Sequence, residues 1–179
     1  ARTVTSTLTL QGIINADGGS DTNCTGGSGG SIYIQAAYLI GGGTMTANGG
    51  VDANWAGGGG GRIAVIASTA NFTGGWTAYG GQGLNTLGNG AAGTIFIQRP
   101  GTNGTLFINN NNLLSGFTAG VLSGNYTFDS VTLVNKSSAT FISPSTVTIT
   151  GINAFFDGDN TSTATVKGVV NGGSITGVY

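Results

Sequence analysis

The stretch Gly29-Gly-Ser-Ile-Tyr-Ile-Gln-Ala36 returns 31 residues later as Gly60-Gly-Arg-Ile-Ala-Val-Ile-Ala67, and again, 32 residues further on, as Ala92-Gly-Thr-Ile-Phe-Ile-Gln98. A second frame keeps the same step. Gly12-Ile-Ile-Asn-Ala-Asp-Gly-Gly19, Gly43-Thr-Met-Thr-Ala-Asn-Gly-Gly50 and Gly74-Gly-Trp-Thr-Ala-Tyr-Gly-Gly81 share the pattern G-x-x-[NT]-A-x-G-G. Two independent frames with one period mark stacked structural repeats. Within each copy the apolar residues alternate, so Ile32 and Ile34, Ile63 and Val65, and Ile95 and Ile97 each point to one face of a strand. Stacking predicts a column of Ile32, Ile63 and Ile95 beside a column of Ile34, Val65 and Ile97. No single unit can bury such a face alone.

Each unit reads as strand, long glycine-rich run, strand, with the runs at 18–30, 49–61 and 80–93. Glycine supplies 36 of 179 residues, far above the usual share of about 7%. Such runs are either floppy edges or rows ordered by stacking. The expectation is polyproline-II-like rows, because the entropic cost of glycine must be offset by contacts with neighbouring copies. After Pro100 glycine thins and Asn109–Asn112 interrupts the chain, expected as a turn in preference to an asparagine ladder. Further strands are predicted at 126–134, 140–142, 146–150, 163–170 and 174–178, at shorter spacings. The reading is one all-β domain over 1–179, a β-solenoid of the right-handed parallel β-helix kind. Three glycine-rich units of about 31 residues cover 8–100, and shorter, glycine-poorer coils cover 101–179.

Composition narrows the chemistry. Charged residues are 6% of the chain, net charge is −1, and there is no His and no Glu. Five scattered cations cannot neutralise a phosphate backbone, so nucleic acid is not an expected partner. No apolar run is long enough to span a bilayer as a helix. A Ser-His-Asp triad and His-based zinc sites are excluded by composition. The six carboxylates are Asp17, Asp21, Asp52, Asp129, Asp157 and Asp159. They form no clustered acid pair of the kind polysaccharide cleavage needs, although Asp17, Asp21 and Asp52 recur at equivalent loops as a surface array. The expectation is no enzyme, no catalytic residue and no cofactor. Asp157, Asp159 and Asn160 are the best calcium candidates, because two carboxylates, an amide and nearby carbonyls supply part of an oxygen shell. A solvated turn is the bland alternative.

The succession GGSGGSIYIQA, GTMTANGG, GGGGGRIAVIA, FTGGWTAYGG, AAGTIFIQ and GTLFINNNN, over roughly 8–112, resembles glycine-rich repeat regions of large prokaryotic surface and secreted proteins. Those regions are generally taken to form pectin-lyase-like right-handed parallel β-helices. The resemblance implies an extracellular β-helix and carries over no catalytic residue.

Three functions are compatible with this reading. The first is a structural subunit of an extracellular filament or cell-surface layer that self-assembles end to end. The N-terminal strand, with Val4, Leu8 and Leu10 on one side, is its candidate connector, since an uncapped solenoid leaves backbone groups unpaired at its ends. The second is an adhesin-type module binding glycans, with Trp55, Trp76, Tyr33, Tyr38 and Tyr79 as candidate stacking groups. Packing between units is the expected role for these rings. The third is ice binding through alternating threonines at Thr5, Thr7 and Thr9, Thr44 and Thr46, and Thr146, Thr148 and Thr150. Six sequons, beginning at Asn23, Asn71, Asn103, Asn125, Asn135 and Asn160, together with a first residue that is not Met, suggest an exported glycoprotein. Cys24 is the sole cysteine.

Overall fold

The computed structural model describes residues 5–69, 71–85, 88–150, 155–158, 162–171 and 174–176. Among them there is no α-helix, and the strands form parallel sheets with one antiparallel joint. The first seven strands are β1 (Thr7–Thr9), β2 (Ile13–Asn15), β3 (Ser31–Ile40), β4 (Thr44–Thr46), β5 (Arg62–Ser68), β6 (Gly75–Thr77) and β7 (Thr94–Gln98). The last seven are β8 (Thr105–Asn109), β9 (Ala119–Phe128), β10 (Ser130–Val134), β11 (Ser138–Ile149), β12 (Phe155–Gly158), β13 (Thr163–Asn171) and β14 (Ser174–Thr176). One sheet of eight runs β1-β3-β5-β7-β8-β10-β12-β14. Two sheets of three, β2-β4-β6 and β9-β11-β13, carry the return strands.

The alternating pattern of the repeats becomes their register. Ile32 faces Ile63 and Ile63 faces Ile95, while Ile34, Val65 and Ile97 form the adjoining column as the spacing predicts. On the return side Ile14, Met45 and Trp76 stack in the same way. Ile32, Ile63, Ile95 and Met45 are buried in one apolar cluster. Full burial of each such side chain contributes about 1.5–3 kcal/mol.

The chain reverses after β7. Pro100-Gly101 forms a tight turn in which Thr102 N–H donates to the Arg99 carbonyl (3.1 Å), and Gly101 takes φ +78°. β8 therefore lies antiparallel to β7, with Ile95 opposite Phe107 and Phe96 opposite Leu106. Opposed residues point to the same side of a sheet. Ile95 and Phe107 belong to the first cluster, whereas Phe96 and Leu106 belong to a second one containing Ile108, Val131, Leu133, Phe141 and Val147. The eight-stranded sheet thus buries one face in its first half and the opposite face in its second. Strand direction and covered face invert together, so the crossover connections keep one hand in both halves. The shorter coils expected after Pro100 begin with this reversal, which the spacing of the strands does not signal. The stretch expected as one strand over 126–134 is two, β9 and β10, broken at Asp129. The pieces expected at 140–142 and 146–150 are one strand, β11, with a register shift between Phe141 and Ser145.

The glycine runs are ordered by backbone. Each unit folds its run into two segments bonded across to each other: Gly27 N–H donates to Gly19 (2.8 Å), Gly58 to Gly50 (2.9 Å) and Gly90 to Gly81 (2.9 Å). Each unit also donates to the next, from Gly18 to Asn48 (2.8 Å), Gly26 to Ala56 (2.8 Å) and Gly29 to Gly59 (2.9 Å), and from Gly49, Gly57 and Gly60 to Tyr79, Gly88 and Ala91. Diagonal bonds run from Gly50 to Gly27 and from Gly81 to Gly58 (2.8 Å each). In one segment residues 57 and 60 donate forward and residues 58 and 61 donate across. A three-residue period without internal hydrogen bonds is that of a polyproline-II helix. Six such segments make a lattice of backbone. A Cβ on Gly58 would land on the Gly27 carbonyl oxygen, and one on Gly81 on that of Gly50.

Candidate functional site

The lattice has two unlike ends. At the third unit, buried Asn110 seals it. Its Oδ1 accepts from Gly80 N–H (2.8 Å), and its Nδ2 donates to the Gly90 (3.2 Å) and Leu113 (2.6 Å) carbonyls. Asn89, also buried, accepts from Gly83 N–H (2.9 Å) and donates to the Leu114 carbonyl (2.8 Å). The Asn run is thus a turn, with Asn111 and Asn112 at positive φ, and also a cap. At the first unit the carbonyls of Asp17, Thr25 and Ser28 receive no hydrogen bond from a described residue. Their counterparts Asn48, Ala56 and Gly59 do.

The same end carries the outer edge of β1, while β14 forms the other edge of the eight-stranded sheet. In β1, Thr7 and Thr9 are exposed and Leu8 packs on the first cluster. Leu10 is buried and its N–H donates to the Ile40 carbonyl (2.9 Å). The apolar side of the expected connector, at Leu8 and Leu10, therefore belongs to the chain's own core. Val4 lies outside the described residues.

Of the sequons, Asn23, Asn71 and Asn125 are exposed. Asn103 is exposed, but its Nδ2 donates to Thr150 Oγ1 (2.7 Å), and Asn135, at φ +58°, donates to Asn109 Oδ1 (3.1 Å). Asn160 lies outside the described residues, as does Asp159 of the calcium candidate. Of Asp157 only the backbone, on β12, is described. No group of three or more His, Cys, Asp or Glu is found among the described residues. No helix among them is long and apolar enough to cross a membrane.

The aromatic residues divide. Trp76 stacks on Phe72 at 5.2 Å against the core, as expected. Tyr33, Tyr38 and Trp55 are 64%, 55% and 63% exposed, which corrects the expected packing role. Tyr33 and Gln35 share the outer face of β3. A cavity of about 360 Å³ there is lined by Gln35, Ile66, Gln98 and Arg99. Periodicity alone could not find this face, because only its first strand carries the tyrosines. Arg62 is exposed, with Nη2 donating to Ser31 Oγ (3.1 Å). Asp52, expected in a surface array, is fully buried.

No family model matches the chain, and no curated protein or solved structure matches it.

Proposed function

We propose that the chain is a β-solenoid, of the right-handed parallel β-helix kind, serving as a structural subunit of an extracellular filament or surface layer. Parallel crossovers are right-handed in about 98% of cases, and both halves here share one hand. The observation that carries the reading is that β1 and β14, neither with a charged residue, are the two edge strands of the eight-stranded sheet among the described residues. An unpaired edge is a template for another chain. Repeated head-to-tail pairing gives an open polymer. The strand directions fix the joint. β14 runs opposite to β1, so a translated copy adds its β1 antiparallel to β14, repeating the β7–β8 joint inside the chain. The test is sedimentation of a Thr7→Lys/Thr9→Lys variant, which places charge on exposed positions of β1. The expected result is a monomer near 17.6 kDa with an unchanged circular dichroism spectrum, beside a parent that sediments as oligomers. A variant that assembles like the parent overturns the joint.

A second reading, a glycan-binding module, rests on the exposed Tyr33 and Tyr38 of β3, the strand that also contributes Gln35 to the cavity with Gln98 and Arg99. It predicts a monomeric parent that retains a glycan on that face and loses it in Tyr33→Ala/Tyr38→Ala.

A further inference from the structure

At the tips of the glycine runs, Asp21 and Asp52 occupy the same position 31 residues apart. They sit on adjacent rungs. Asp21 N–H donates to the Val51 carbonyl (3.3 Å) and Asp52 N–H to the Gln82 carbonyl (3.0 Å). Neighbouring layers of such a stack are about 4.8 Å apart. Each carboxylate closes its own tip through one oxygen. Asp21 Oδ1 accepts from Thr22 N–H (2.6 Å) and Asn23 N–H (2.8 Å), and Asp52 Oδ1 from Asn54 N–H (2.7 Å) and Trp55 N–H (3.0 Å).

The second oxygens differ. Asp52 is 0% exposed, and its Oδ2 is buried with no hydrogen-bond partner. It is the one such side-chain atom among the described residues. A buried carboxylate oxygen facing neither a donor nor a cation is strongly unfavourable. The third unit carries Gly83 at this position, and its tip is closed by Asn85, whose Oδ1 accepts from Gly88 N–H (3.0 Å). At this position carboxylates thus stand on two adjacent rungs and are missing from the third. A cavity of about 490 Å³ opens on the Asp21 side of the pair, lined by Ser20, Asp21, Thr22, Val51 and Ala53, with Asp52 buried behind Val51 and Ala53.

We propose that Asp21 and Asp52 hold a hard divalent cation of the calcium class, pinning the first loop tip to the second. Two carboxylates match its charge, and loop carbonyls, amides and water complete an oxygen shell. The site is independent of the assembly reading.

Trp55, bonded through its backbone to Asp52, makes the test direct. Terbium(III) is titrated into the calcium-free protein with excitation of tryptophan. The expected result is saturable terbium emission, displaced by calcium but not by equimolar magnesium. Affinity should fall on the order of ten-fold or more in Asp52→Asn and in Asp21→Asn, since charge count sets affinity at such sites. Calcium at a hundred times its Kd should raise the Tm of the parent by roughly 5–10 °C, reversed by chelator. Asp21 is exposed, so Asp21→Asn decides the matter if Asp52→Asn fails to fold. Emission that neither substitution changes overturns the site. So does an Asp52→Asn protein as stable as the calcium-loaded parent and indifferent to calcium, because a neutral amide would then suit the pocket.

Discussion

The two halves of the molecule share one eight-stranded sheet and close their circuits by opposite means. In the first half the circuit is long, and its far end is a lattice of polyproline-II backbone in which glycine is the only residue that fits at the close approaches. In the second half the circuit shortens to 25 residues, as between Leu106 and Val131, and side chains take over. Ser137 Oγ donates to the Ile108 carbonyl (3.1 Å), and its N–H donates to Ser162 Oγ (3.2 Å). A side chain at a corner excludes close backbone approach, so the chain between strands must be short. A run of glycine permits that approach and lets the loop become a second ordered layer.

This contrast can be broken most sharply at the lattice itself. Gly58→Ala forces a Cβ onto the Gly27 carbonyl. The Gly26–Gly27 backbone that it meets cannot relax as a flexible side chain would, so a loss of about 3–5 kcal/mol is expected in chemical denaturation. Unchanged stability would mean that the lattice is not close-packed. A smaller effect is expected at the boundary between the halves. Asn110→Ala leaves the Gly80 N–H and the Gly90 and Leu113 carbonyls without their partner. A loss of about 2–3 kcal/mol is expected, with amide exchange accelerated in the third glycine unit ahead of the first. The smallest effect belongs to Gly19→Ala, where a Cβ meets nothing within 4 Å. Its expected change is within about 0.5 kcal/mol. Equal losses at Gly58 and Gly19 would show that glycine serves chain flexibility here and not packing.

The repeats were legible because period and alternation are both written in residues. The Ile32–Ile63–Ile95 column and its neighbour follow from spacing alone. The ordering of the glycine runs was legible as an expectation, since only stacking offsets their entropy, but the bonding pattern was not. It belongs to backbone groups that every residue carries. The reversal after β7 had a signal in Pro100-Gly101, a turn dipeptide. Its consequence, a core on the other face, also needed the pairing of Phe96 with Leu106, and both TIFIQ and TLFIN alternate acceptably on either face. The cap at Asn110 was hidden because a run of four asparagines reads first as a turn. The burial of Asp52 was hidden because carboxylates at loop tips are ordinarily solvated.

The account turns most directly on whether copies of this chain join along the axis of the sheet. Electron microscopy of the purified chain measures that. Eight strands at about 4.8 Å predict filaments with an axial repeat of about 38 Å, each repeat containing one lattice-bearing half and one without. Dispersed single particles of 17.6 kDa, at concentrations where β1 and its edge are intact, would contradict the end-to-end joint.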